Sequence, residues 1–170
     1  MTTESEVPGV LHAWTVYMRA SEEARRRGDR RVGTEHVLLS LLEESPIQTA
    51  LGTNLEQARQ ALQALDDQAL GSLGMVSDAH VPPLPMRELP KKPTFRAVMQ
   101  RDRLRLTPTA KKVLERAVQS NRRRTLVSAQ QVLAQILTLQ SPDPGVLLLD
   151  ALGVDTAEAR RRLDAGASDN

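Results

Sequence analysis

The constraint that dominates this chain is that a large part of it is written twice. The segment Glu35-His36-Val37-Leu38-Leu39-Ser40-Leu41-Leu42 aligns with Gln130-Gln131-Val132-Leu133-Ala134-Gln135-Ile136-Leu137 at a constant offset of 95 positions. Farther along, Leu51-Gly52, Ala58-Arg59 and Leu62 match Leu152-Gly153, Ala159-Arg160 and Leu163 at an offset of 101. The six additional residues fall around Pro142, Pro144 and Gly145, where turn-forming residues imply a loop. A self-match at fixed spacing bears on architecture before any local pattern, because each copy has to be one supersecondary unit. In both copies the apolar residues recur three and four positions apart, the spacing that sets them on one face of an α-helix.

Each copy opens on a further amphipathic segment. The first predicted helix runs from Leu11 to Arg27, with Ala13, Tyr17, Ala20 and Ala24 sharing a face. In the second copy the helix starts at Thr107, whose hydroxyl can cap the free amides while Pro108 takes the first helical position. Its apolar stripe is Ala110, Val113, Leu114, Ala117 and Val118. A basic turn, a helix from Thr34 or Ser128, a short third helix and a final helix complete each unit. The chain has one Trp, one Tyr and one Phe, so Leu, Val and Ala must supply the core, which favours helix-on-helix packing over sheets. The predicted fold class is therefore all-α: a pseudo-twofold tandem repeat of two four-helix motifs, about eight helices, in a single domain over 1–170. Repeat 1 is expected at 9–66 and repeat 2 at 104–165. Residues 67–103 read as a proline-rich linker, since Pro82, Pro83, Pro85, Pro90 and Pro93 are incompatible with helix and favour an extended, mobile connection. Phe95, Val98 and Met99 suggest a short helical return, and residues 166–170, small and polar, a flexible tail.

Several chemistries are excluded. Without cysteine there is no disulfide, thiolate metal site or cysteine nucleophile. The three histidines, His12, His36 and His80, pair neither with one another nor with carboxylates at metal-ligand spacing on one helix, so no metal or cofactor is expected. His36 reads as a partly buried helix-start residue, and Trp14 and Tyr17 as core. No catalytic Ser, His and Asp grouping is visible. The N-terminal segment is acidic and polar, and no apolar run approaches the ~20 residues that span a bilayer; the expected location is cytoplasmic, with no membrane partner. Arginines come in blocks, at 25–27 with Arg30 and Arg31, at 122–124 and at 160–162, although the formal net charge is only +2. Such blocks attract nucleic acid or acidic partners, yet solvated helix faces and helix C-termini account for them more simply. An arginine-rich regulatory protein binding nucleic acid is kept as the alternative reading.

Three stretches together carry a resemblance. Gly33-Thr34-Glu35-His36-Val37-Leu38-Leu39, preceded by Glu22-Glu23-Ala24-Arg25, resembles the repeat signature of the N-terminal domain of the ClpC and ClpA members of the Clp/Hsp100 unfoldases. Leu106-Thr107-Pro108 with Ala110-Lys111-Lys112-Val113-Leu114-Glu115 is similar to the start of that domain's second repeat, and Leu152-Gly153-Val154-Asp155 with Arg160 to Leu163 to its close. Order and duplication, rather than any single motif, make the match, which covers nearly the whole chain except the proline-rich connection. The resemblance implies a pseudo-twofold pair of four-helix repeats that receives substrates and adaptors at the mouth of an ATP-driven unfoldase. Nothing matches the glycine-rich phosphate loop ahead of Lys-Ser or Lys-Thr. The expected function is that of a stand-alone, non-enzymatic protein- and peptide-binding module of the Clp protease system: an adaptor, substrate receptor or decoy. Its expected partners are a Clp/Hsp100 ATPase or that ATPase's substrates and adaptors.

For the ClpC branch the resemblance also implies a site in each repeat for phosphorylated arginine, using a threonine at the start of the first helix and the glutamate of the Thr-Glu-His segment. A helix N-terminus offers amides to phosphate while a carboxylate pairs with guanidinium. In repeat 1 Glu35 is present and Val10 stands at the threonine position; in repeat 2 Thr107 is present and Gln130 replaces the glutamate. Thr34, Glu35, Thr107 and Gln130 are thus the candidate ligand- or peptide-binding residues, with phosphoarginine binding expected to be weakened or absent. Plain helix capping competes: Thr34 suits an N-cap, Glu35 a first-turn acid, and Ser128 with Gln131 a capping box.

Overall fold

The first departure from the sequence pattern comes at its start, where helix was expected from Leu11. In the computed structural model, which describes residues 10–74, 104–119 and 126–168, Val10–His12 is instead a short strand, β1. Its backbone pairs antiparallel with β4, Leu126–Ser128, so the extended form is set by a distant partner rather than by local propensity. Helix α1 follows, Ala13–Arg27, and stops at Gly28, whose φ of 77° is readily reached only without a Cβ. The amide of Gly28 donates to the Arg25 carbonyl and that of Asp29 to the Ala24 carbonyl, which turns the chain back sharply.

After α1 come β2 (Arg31–Val32), α2 (Thr34–Leu41), α3 (Ser45–Leu51) and α4 (Leu55–Ser72). The later segments give β3 (Arg105–Leu106), α5 (Pro108–Gln119), β4, α6 (Ala129–Ile136), α7 (Pro144–Ala151) and α8 (Thr156–Ser168). Among the described residues there are thus eight helices and four strands of two or three residues, an all-α fold in which the same element order occurs twice. Two helices outrun the expected limits. Helix α4, started by a reciprocal cap between Asn54 and Gln57, continues to Ser72, and α8 continues to Ser168 through residues read as a tail. The helical return at Phe95, Val98 and Met99, the arginines at 122–124 and His80 lie outside the described residues.

Helix α2 sits at the centre. All its residues except Glu35 are buried, and α1, α5, α6 and α7 pack around it. A helix apolar on nearly every side requires neighbours on every side. The neighbours are supplied by interleaving: α7 lies on α2 and α4, while α8 lies on α3 and α6. Val16, Ala20 and Ala24 of α1, Leu38 and Leu39 of α2, Leu133 of α6 and Leu148 and Leu149 of α7 therefore belong to one core. Burying each of those leucines contributes about 1.5–3 kcal/mol. Among the described residues, aromatic side chains take little part. Trp14 is 39% exposed rather than a core residue, and Tyr17, partly buried 5.2 Å from it, donates its hydroxyl to the Leu104 carbonyl.

The second strand pair differs from the first. Strand β2 pairs parallel with β3, Arg31 opposite Arg105 and Val32 opposite Leu106, and the Thr107 amide extends the ladder to the Val32 carbonyl at 2.8 Å. No helix among the described residues is long and apolar enough to cross a membrane.

Candidate binding site

The β2–β3 junction brings together backbones that are far apart in the chain. Because Thr107 donates to Val32, the start of α5 lies beside Gly33-Thr34-Glu35, the start of α2. The β1–β4 junction does the same for the other two positions, setting Val10 opposite Ser128, two residues before Gln130. Glu35 and Thr107 thus share one junction, and Val10 and Gln130 the other.

The four candidate residues are held differently. Thr34 is not an N-cap: Gly33 takes that place, and Thr34 is the first residue of the helix at 1% exposure. Its hydroxyl donates to Asp143 Oδ1 and accepts from the Gly145 amide, both at the start of α7. Thr34 is therefore a buried clasp between α2 and α7. Thr107 caps α5 in the expected way, its hydroxyl accepting from the Ala110 amide at 3.3 Å. Gln130 gives its amide to the Ser128 hydroxyl, while Gln131 Oε1 accepts from the Ser128 amide, the expected capping box.

Glu35 has the unusual environment. Its side chain is 14% exposed and its carboxylate folds back over Gly33, so that a Cβ at Gly33 would overlap both oxygens. One oxygen lies 3.0 Å from His36 Nδ1; the other, Oε2, is buried with no hydrogen-bond partner among the described residues. A buried acceptor without a donor costs free energy until something supplies one.

His36 joins the carboxylates of this end. It is 1% exposed, with Nε2 3.0 Å from Asp29 Oδ2 and Nδ1 within 3.0 Å of both the Gly33 amide and Glu35 Oε1. Burial disfavours the imidazolium, but hydrogen bonds to Asp29 and Glu35 outweigh it, and the His36 pKa is raised. Asp29 is held below its ordinary value, first by the hydrogen bond from His36 and then, against partial burial, by Arg27. The imidazolium can donate to both carboxylates; the neutral ring, with its proton on Nε2, accepts the Gly33 amide and leaves Glu35 without a donor. This end of α2 is thus a His-centred carboxylate pair, structural in origin, with one unsatisfied oxygen.

Sequence reasoning missed Asp29 and Asp143, whose roles come from the Gly28 turn and from helix α7 packing on α2. Gly33 ahead of Glu35 was the legible signal, since a glycine with no positive φ leaves close approach as its reason.

No curated protein matches the chain. The family model described as Clp repeat (R) N-terminal domain matches residues 11–142, a stretch that includes all of both strand junctions except Val10, and helices α1 to α6. With most of the sequence aligned to that model, the chain belongs to the Clp repeat N-terminal domain family.

Proposed function

We propose that the chain is a non-enzymatic protein- and peptide-binding module of the Clp protease system, acting as an adaptor, a substrate receptor or a decoy for a ClpC-type unfoldase. Family membership associates it with the Clp system in general, and the family is one of non-catalytic N-terminal domains. On this reading repeats 9–66 and 104–165 form one pseudo-twofold unit, and the recognition site is the β2–β3 junction. The observation that carries it is Glu35: a largely buried carboxylate whose Oε2 lacks a donor, at the strand junction it shares with Thr107.

A ligand joining a cation to an anion suits that junction. Its guanidinium would satisfy Glu35, and its anion would lie near the N-terminal amides of α5. Phosphoarginine, which the sequence resemblance implies, has that form. One binding site rather than two is expected, because Val10 and Gln130 offer neither hydroxyl nor carboxylate to the other junction.

Calorimetric titration with phosphoarginine tests the site. The parent should bind at one site, Glu35→Ala should abolish binding, and Gln130→Glu should leave the first site unchanged. Equal binding by the parent and Glu35→Ala would reject it. A pull-down from the native cell that recovers no Clp ATPase, adaptor or substrate would reject the functional class.

A further inference from the structure

Most arginines of the described residues are already engaged within the fold. Arg19 pairs with Glu43 and Glu44, Arg27 with Asp29 and Asp66, and Arg59 with Glu23; Arg161 and Arg162 both pair with Glu158, and Arg160 donates to the Leu137 carbonyl. Arg30, Arg31 and Arg105 are exposed, and none has an ion pair or side-chain hydrogen bond with the described residues. These three are gathered in one place. Parallel register sets Arg31 directly opposite Arg105, and strands lie about 4.8 Å apart, so the two side chains leave the same face of the junction. Val32 and Leu106, next along each strand, turn the other way, Val32 fully buried and Leu106 partly so. On the β2 side the nearest carboxylates, Asp29 and Glu35, are turned onto His36 instead.

Like charges directly opposite each other across a strand pair repel, and no carboxylate among the described residues pairs with these two. An external anion would. We propose that Arg31 and Arg105, flanked by Arg30, form a docking surface for an acidic segment of a partner polypeptide, whose Asp or Glu carboxylates bridge the two guanidinium groups. Two parallel planar forks suit carboxylate oxygens, which accept such donors bidentately. Among the described residues the unpaired arginines are confined to these three, and Arg161 and Arg162 of α8 share Glu158, so those residues show no track of arginines of the kind that follows a phosphate backbone. The choice of a polypeptide also rests on reading the chain as a protein-binding module. The surface lies at the same strand junction as Glu35 but uses Arg31 and Arg105 rather than that carboxylate.

Fluorescence anisotropy with a labelled hexaglutamate peptide at low ionic strength tests this on the full chain. The parent should bind; the double variant R31E/R105E should bind at least ten-fold more weakly, and R161E/R162E, the same charge change on α8, within two-fold of parent. The neutral pair R31Q/R105Q should lose binding without lowering the melting temperature, which separates docking from folding. No binding by the parent, or equal binding by R31E/R105E, overturns the proposal. So does hexathymidylate displacing the peptide at lower concentration than unlabelled hexaglutamate. Glu35→Ala should retain hexaglutamate binding while losing phosphoarginine, so either reading can fail alone.

Discussion

At the β1–β4 junction, Val10 to His12 run antiparallel to Leu126 to Ser128, and the helix that follows is capped by its own Ser128 and Gln131. At the β2–β3 junction the strands run parallel, and the helix that follows has no side-chain cap from its N-cap residue, Gly33. His36 receives the Gly33 amide instead, between Asp29 and Glu35. In the first arrangement the helix after β4 closes its own cap, while α1, after β1, has no side-chain cap from His12. Among the described residues, the second leaves one carboxylate oxygen without a donor and two facing arginines without an anion. The difference shows where a repeated scaffold is available for recognition: a copy whose caps close on themselves has little left to offer a ligand.

Substitutions can break this contrast, beginning with the largest effect. Leu38→Ala, in the helix enclosed on nearly all sides, should cost about 2–5 kcal/mol in urea unfolding, as for other buried leucines. Gln135→Ala, on the less buried α6, should stay within about 0.5 kcal/mol. Equal losses would mean that the two helices are not differently enclosed. Next, Thr34→Val should cost about 1–3 kcal/mol, because Asp143 and the Gly145 amide lose the hydroxyl between them, and Thr34→Ser should recover most of it.

The pH dependence separates the junctions further. His36 has a raised pKa, so its contribution to stability is full below the ordinary value of 6.5 and is lost as pH rises through its folded value. Asp29 has a lowered pKa, so its contribution is present above 3.8 and is lost as pH falls through its folded value. Thermal melts should therefore show a stability shoulder between these limits, and His36→Gln should remove its alkaline edge. An unchanged edge would mean that Asp29 and Glu35 do not hold the imidazolium. The smallest effect on stability is expected from Gly33→Ala. Its φ of −96° accepts alanine, but the new Cβ would push the flexible Glu35 carboxylate off His36. The melting temperature should change little while affinity for a cationic ligand changes measurably.

Much of this was legible in the sequence where the signal is local. The stripe from Ala110 to Ala117, the Thr107 cap and the Ser128-Gln131 box lie within one helix each, and the structure keeps them all. What was not legible depends on partners remote in sequence. Thr34 looked like a cap because its real partners, Asp143 and Gly145, belong to another segment. Leu11 looked helical because nothing nearby announces the pairing of β1 with β4. Trp14 looked like core because apolar type says little about which face of α1 meets a neighbour. The candidate site was least legible, since only the pairing of β2 with β3 shows that the segments carrying Glu35 and Thr107 meet at one junction.

That shared junction is tested most directly by mapping backbone amide chemical shifts while phosphoarginine is added. The account predicts the largest changes at Arg31 to His36 and Arg105 to Ala110, with Val10 to His12 and Leu126 to Gln131 unmoved. Changes centred on the β1–β4 junction, or none at either, would contradict it.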